Sequence, residues 1–475
     1  MLEICKHFFD DLNKKAVRYC HWKSNSHLDA AVNGRTDIDI LVSKDDQEEF
    51  EAVMTAFDFK RILSQPDKQF RGFEDYLGFD LKTGRFVHLH VHYRLVLGQQ
   101  YIKNHRLPLE QLYFDNLIQR QGVNIPCAEL ELIILIIRAH VKTDLISLLK
   151  HAIKDLMGAR YTAFPRDIEN EFRELHKDCD ADKFSLTLQQ SGLPLPEEFC
   201  TRFLDRFLND NLRFHHILLG QIQILRWLRP YRRRTGIGVY VTYLRLFILN
   251  SRLASRFRPP KRKTMYGSGA AISVVGADGS GKSTLIKDLD KWLSWKLTVR
   301  QYYYGIPKNA VSKLSSLTMR VFNKIGLKSF ASSVLDVFWI YVARYRKSVS
   351  EKIIRDREKG RVVITDRFPL HDFRSMQEAM DNPRIDPDRK LLGKNLRLIE
   401  ESYYDAIELP DKIVVLQVHI DELRRRKSDI ELDKHELKAE AVNRIVTTDV
   451  ISVVDANRPY DEVLLQVKTQ IWNAL

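Results

Sequence analysis

The chain has little cysteine: five in 475 residues, Cys5, Cys20, Cys127, Cys179 and Cys200, scattered and with no Cys-x-x-Cys pair. That scatter excludes a disulfide framework or zinc knuckle and fits reduced thiols in a cytosol. Long apolar runs are missing too. The longest, 132–137 and the interrupted 239–249, fall well short of the roughly 20 residues needed to cross a bilayer. The start, Met-Leu-Glu-Ile-Cys-Lys, lacks the apolar stretch of a signal peptide, so a cytoplasmic location is expected. No internal repeat is visible.

One further absence is local. Between Leu212 and Lys263 there is no Asp or Glu, while thirteen cations occur, from Arg213 through the Arg232-Arg233-Arg234 run to Lys261-Arg262-Lys263. Those thirteen nearly account for the whole net charge of +14. Ile222, Trp227, Leu244 and Phe247 are interleaved with them. A solvated helical face leading into a linker is the plain reading of such a stretch. Peripheral membrane contact through 212–263 is the next, and nucleic acid ranks behind it. Pro259-Pro260 and Gly267-Ser-Gly269 break the chain, so a linker is expected over 257–269.

At this length two or three domains are expected. The most informative stretch is Ile272-Ser-Val-Val-Gly-Ala-Asp-Gly-Ser-Gly-Lys-Ser-Thr284. A β-branched strand runs into Gly276-x-x-x-x-Gly281-Lys282-Ser283, the pattern of a phosphate-binding loop. Gly276, Gly279 and Gly281 allow left-handed backbone and close approach, so that successive N–H groups of the loop, Ser280 included, surround a polyphosphate. Lys282 would reach the β/γ-phosphates and Ser283 would take Mg²⁺. The helix starting near Thr284 points its positive end at the anion. A bound nucleotide triphosphate, ATP, is the expectation.

Upstream, Gly34-Arg-Thr-Asp37-Ile-Asp39-Ile-Leu-Val42 alternates so that Asp37 and Asp39 share one strand face. Two carboxylates that close suit a divalent cation between them. Tyr76–Asp80 and Phe86–Tyr93, joined by Lys-Thr-Gly-Arg, predict a hairpin. Its second strand carries His88, His90 and His92 on one face, either as hydrogen-bonded strand histidines or as ligands of a transition metal. Helices are predicted near 45–57, 130–141 and 145–156, with 106–255 mostly helical. Trp22-Lys-Ser-Asn25 together with Gly34-x-Thr-Asp-x-Asp resembles the nucleotidyltransferase superfamily. That resemblance implies an α+β fold over 1–105 and a metal held by Asp37 and Asp39. The strand of the expected third carboxylate carries His90 instead.

Beyond the phosphate loop, helices at 285–295, 332–359 and 422–427 alternate with strands at 298–304, 360–366, 410–418 and 450–454. Such alternation gives a parallel, doubly wound α/β sheet with its ligand at the strands' carboxyl ends. The loop, Gly360-x-Val-Val-Ile-x-Asp366-Arg367, the arginine-rich 424–426 and the closing Asp455-Ala-Asn-Arg458 together resemble thymidylate kinase over about 270–475. That resemblance implies γ-phosphoryl transfer from ATP with Mg²⁺. Lys282, Asp366 and Arg367 would be catalytic, with Asp366 and Ser283 on the metal. Asp278, Arg344 and Arg367 would hold the acceptor. Arg424 and Arg425 would form a lid, and Arg458 would sit beside the nucleotide. The acceptor half departs from the family: Tyr302-Tyr-Tyr-Gly-Ile-Pro307 replaces its Arg-Glu-Pro-Gly segment, and the base-stacking aromatic falls near Trp339 or Ile340.

The expected layout is therefore 1–105, nucleotidyltransferase-like; 106–256, a helical extension with the basic stretch; 257–269, a linker; and 270–475, a P-loop kinase domain acting on a small phosphate acceptor. A two-activity enzyme acting on a sugar or polyol of surface polysaccharide, and a non-catalytic nucleotide switch, are the alternatives.

Overall fold

In a computed structural model the chain divides into two units, Met1–Lys261 and Arg262–Leu475. The structure describes residues 1–99, 102–142, 164–234, 262–325, 327–370, 383–386, 393–426 and 432–475, with single positions between 238 and 248. The expected helix at 145–156, most of the basic stretch beyond 234 and the segment after Leu370 lie outside them.

In the first unit, β-branched alternation at Ile38, Ile40 and Val42 makes the strand β2 (Ile38–Val42), which follows β1 (Tyr19–His21) and precedes β3 (Lys60–Leu63), β4 (Phe73–Asp80) and β5 (Arg85–His92). Their order is β1-β2-β5-β4-β3. The expected hairpin forms, with β4 and β5 antiparallel in register from Phe73↔His92 to Asp80↔Arg85. Strand β2 joins β5 in parallel, pairing Asp39 with His90. One sheet face buries Ile38, Ile40 and Val42 against Phe8, Phe9, Phe50 and Val53 of helices Glu3–Lys14 and Gln47–Ala56. Leu41, on the other face, belongs to a second core with Trp22 and the helix Ala128–Lys142. That helix is buried from Glu129 to Val141, its apolar run 132–137 enclosed on all sides and Glu129, Glu131, Arg138 and His140 buried with it.

Two strand pairs were not expected, one at the end of the 1–105 region and one, at 117–126, inside the stretch 106–255 expected to be mostly helical. Strands β6 (Leu95–Gln99) and β7 (Ile102–Leu107) pair with each other, as do β8 (Leu117–Arg120) and β9 (Val123–Pro126). Gln121 and Gly122 both have positive φ, +55° and +78°. Two such residues in succession make the tight turn whose twist matches paired strands. Helices then follow at Arg166–Asp178, Ala181–Gln190, Glu197–Leu208 and Phe214–Trp227.

The second unit opens inside the expected linker. A short strand, β10 (Thr264–Met265), is tied down by Met265 N–H donating to Gly360 O at 2.8 Å and Thr298 N–H to Lys263 O at 2.8 Å. Strands β11 (Ala271–Gly276), β12 (Val299–Tyr303), β13 (Val362–Asp366), β14 (Lys412–Gln417) and β15 (Ile451–Asp455) form one sheet in the order β12-β13-β11-β14-β15. All neighbours are parallel. The middle strands read as unbroken apolar runs because both faces are covered. The chain runs from β11 to β12 and β13 on one side, then crosses to β14 and β15 on the other. That change of direction opens a crevice at the carboxyl end of β11. The long helix runs Lys328–Glu358, preceded by a helix at Ala310–Lys324 that the sequence pattern does not announce.

Candidate active site

Parallel register places the ends of three strands level. Tyr303 pairs with Asp366, and Val274 with Asp366, so Gly276, Tyr303 and Asp366 open onto one crevice. The loop 276–281 turns from β11 into the helix Lys282–Leu293, which begins two residues before its expected start. Gly279 and Gly281 have φ of +99° and +89°, conformations that side chains resist. Gly276 is needed for a different reason. A Cβ there would meet Ser280 Oγ at 2.6 Å and Leu416 O at 3.1 Å. The first-turn N–H groups of that helix have no partner inside it and face the crevice as an anion site.

The cleft holds about 890 Å³ and is lined on the loop side by Asp278, Gly279, Gly281, Lys282, Ser283 and Thr284. Ser280 is buried beneath the loop. Lys282 is folded inward, its Nζ donating to Gly276 O at 2.9 Å and Ala277 O at 2.7 Å. Burial pushes its ammonium below the ordinary lysine value, opposed by Asp278 and Asp366. Asp278 collects three cations: Arg367 at 3.5 Å, Lys438 at 3.6 Å and Lys282 at 3.8 Å.

Arg367 has φ +73°, the left-handed region that a side chain ordinarily avoids at a cost of about 1–3 kcal/mol. The turn is held by Arg367 N–H donating to Val274 O at 3.0 Å and Thr365 Oγ1 donating to Arg367 O at 3.2 Å. It lays the guanidinium 5.9 Å over the Tyr303 ring. Across the cleft stand Tyr303, Pro307, Lys308, Asn309 and Tyr345. Gly305 is required beside them, since a Cβ would run into the Tyr303 ring at 2.1–2.5 Å.

The structure thus gathers Asp278, Gly279, Gly281, Lys282, Ser283, Thr284, Asp366 and Arg367 around one cleft, while Gly276 and Ser280 belong to the loop but not to the cleft lining. Other expected residues stand elsewhere. Arg344 is exposed and absent from the cleft lining; its neighbour Tyr345 takes that place. The period of the long helix turns Arg344 outward and Arg346 inward. Arg346 is 1 % exposed and its Nε donates to Tyr304 O at 2.7 Å, a packing role. Trp339 does not line the cleft either: Arg384 covers its ring at 4.8 Å. Arg424 and Arg425, on the helix Ile420–Arg426, are exposed and paired with Asp421 at 3.7 Å and Glu422 at 2.7 Å. Arg458 lies beyond β15 beside Asp455, at 3.8 Å. Lys438 was not anticipated, because a lone lysine in the helix Leu432–Asn443 carries no pattern.

In the first unit Asp37 and Asp39 do face the histidine strand, each with its own partners. Asp37 Oδ1 lies 2.9 Å from His88 Nδ1, and His88 Nε2 lies 3.2 Å from Asp75. Asp39 Oδ1 lies 2.7 Å from Lys23 Nζ and 3.1 Å from His90 Nδ1.

No family model matches the sequence. By sequence the chain is similar to "Uncharacterized ATP-binding protein YghR" of Escherichia coli (strain K12), 26% identical over 221 residues, covering 42% of this chain and 86% of that protein. It is also similar to the thymidylate kinase of Clostridium novyi (strain NT), 26% identical over 213 residues, covering 42% of this chain and 97% of the relative. Among solved structures, thymidylate kinase from Candida albicans aligns at 18% identity with a TM-score of 0.29, over 43% of this chain and 90% of that one. By the two sequence matches, about two fifths of the chain resembles a nucleotide-kinase-like, ATP-binding protein. Among the described residues no helix is long and apolar enough to cross a membrane.

Proposed function

We propose that the second unit is an ATP-dependent phosphotransferase that moves the γ-phosphoryl group to a small acceptor. The observation that carries this reading is the single cleft in which the phosphate loop and Lys282 face Asp366, Arg367 and Tyr303. Phosphoryl transfer asks little of a protein beyond positioning and positive charge around an in-line displacement. The loop amides and Lys282 would hold the ATP phosphates. Arg367, with a fixed planar fork, suits the acceptor's anionic or hydroxyl-bearing end. The two tyrosines form a flat wall on that side.

The residues fit Mg²⁺: Ser283 and Asp366 are oxygen donors on the cleft wall, the ligand type this ion takes alongside its waters. When bound, Mg²⁺ would neutralise charge on the phosphates. Arg424 and Arg425 would act as a lid only if their helix swings inward, carrying with it their pairs with Asp421 and Glu422 of the same helix.

The similarity to a thymidylate kinase supports a nucleoside monophosphate as one acceptor to try. The rewritten Tyr303–Asn309 wall supports widening the search to phosphorylated sugars and polyols. The full chain is given ATP, Mg²⁺ and each acceptor class in turn, and ADP formation is followed. One class should raise ADP formation well above the acceptor-free rate. ADP formation that no acceptor changes would contradict the proposal.

A further inference from the structure

Among the described residues one group of three His, Cys, Asp or Glu side chains converges on a point: Asp39, His90 and His92, whose donor atoms all lie within 4.8 Å of one another. The fold makes this group. Parallel pairing sets Asp39 of β2 directly beside His90 of β5, and the two-residue period of a strand returns His92 to the same face.

The spacing suits a metal. His90 Nδ1 stands 3.1 Å and His92 Nε2 3.5 Å from Asp39 Oδ1. Donors about 2.0–2.1 Å from a common ion lie about 3.3–3.4 Å apart in tetrahedral geometry and about 2.8–3.0 Å apart in octahedral geometry. The hydrogen-bonding account of the histidines is incomplete. His92 is 1 % exposed, and neither ring nitrogen has a well-aligned hydrogen-bond partner. Leaving such a group unsatisfied costs about 1–3 kcal/mol, and buried polar atoms are rarely left so. Trp22 at 5.2 Å and Phe73 at 4.4 Å wall the His92 ring away from water.

We propose that Asp39, His90 and His92 bind one divalent transition-metal ion, and that Lys23 is its built-in competitor. Two imidazoles and one carboxylate suit zinc, cobalt or ferrous iron and not magnesium. This differs from a magnesium ion between Asp37 and Asp39, which would use oxygen ligands only. Three protein ligands leave a position for water or an oxygen of a small ligand. Lys23 Nζ, 2.7 Å from Asp39 Oδ1, draws on the same carboxylate. The lysine is held there by its loop. Asn25 donates its N–H and Nδ2 to the Glu131 carboxylate at 2.9 and 2.8 Å, which anchors the turn to the central helix.

The test uses the full chain without nucleotide, titrated with Co²⁺ and followed by visible absorption, with bound metal counted by elemental analysis. One saturable ion per chain is expected, with the absorption of histidine-ligated cobalt. His92→Ala should weaken binding by at least roughly tenfold, as should the milder His90→Gln. Lys23→Met should tighten it, by about tenfold, a gain that misfolding cannot produce. Asp366→Asn should leave the absorption band in place, which separates this site from the cleft. The proposal is overturned if neither wild type nor Lys23→Met shows a saturable band, if the histidine variants bind as the wild type does, or if Lys23→Met does not tighten binding.

Discussion

Two groups of carboxylates and cations stand at parallel-paired strands in this protein, and they are arranged in opposite ways. In the second unit three cations share the one carboxylate of Asp278 beside a cleft of about 890 Å³. Positive charge is in excess there, and space exists for an anion. In the first unit Asp37, Asp39 and Asp75 are each matched by a histidine or lysine, behind the rings of Trp22 and Phe73. A histidine is charged only when protonated, and burial pushes the His90 and His92 imidazoles below their ordinary value, so Lys23 faces three carboxylates and the surplus is negative. A pair of carboxylates on a strand is therefore not enough to mark a site of phosphate chemistry. The sign and the surplus of the field around it decide which ligand it can take.

The comparison breaks most sharply at Lys282. Lys282→Met should lower acceptor-dependent ADP formation on the order of 10³-fold, the scale for removing a preorganised charge from a transferring phosphoryl group. The same variant should leave cobalt binding in the first unit unchanged. Asp366→Asn should cost on the order of 10²-fold in kcat/KM and raise the Mg²⁺ concentration for half-maximal rate. Gly276→Ala drives a methyl group against Ser280 Oγ and Leu416 O, an overpacking expected to cost about 1–3 kcal/mol. Thermal unfolding of the second unit should shift down while that of the first does not.

A smaller effect sharpens the other side. Burial raises the Glu131 carboxyl to about 7 from an ordinary 4.5, with the Asn25 hydrogen bonds opposing. The folded state then binds a proton more tightly than the unfolded one. Its stabilising contribution is complete below about 4.5 and is lost as pH rises through about 7. Relative to Glu131→Gln, the wild-type melting temperature should fall between pH 5 and pH 8; an unchanged difference would contradict the assignment. The smallest expected effect is at Arg344, which is exposed and off the cleft. Arg344→Ala should change kcat/KM by less than about threefold, within the range of ordinary surface substitutions.

Much of the second unit could be read in the sequence because its signals are local. The phosphate loop, the apolar runs before Gly276 and Asp366, and their level register all follow from short stretches. What stayed hidden depended on tertiary choices. Arg344 and Arg346 differ by two positions on a helix, and only packing decides which turns inward. Tyr303 stood out as a departure from the family pattern, yet its place in the cleft wall depends on the room left by Gly305. In the first unit the Asp39 and His90 strands could be picked out, but not their parallel pairing, which joins residues 51 positions apart. The strands of 95–126 were missed because they are short and hardly alternate; the Gln121-Gly122 turn was the available clue.

The most direct test follows the γ-phosphoryl group itself. Full-length protein is incubated with γ-labelled ATP, Mg²⁺ and the acceptor panel, and the label is traced by ³¹P resonance or radioactivity. The expected result is label on one acceptor, equimolar with ADP, and none with Lys282→Met. Label found only in inorganic phosphate, or equal transfer by Lys282→Met, would contradict a kinase built on this cleft.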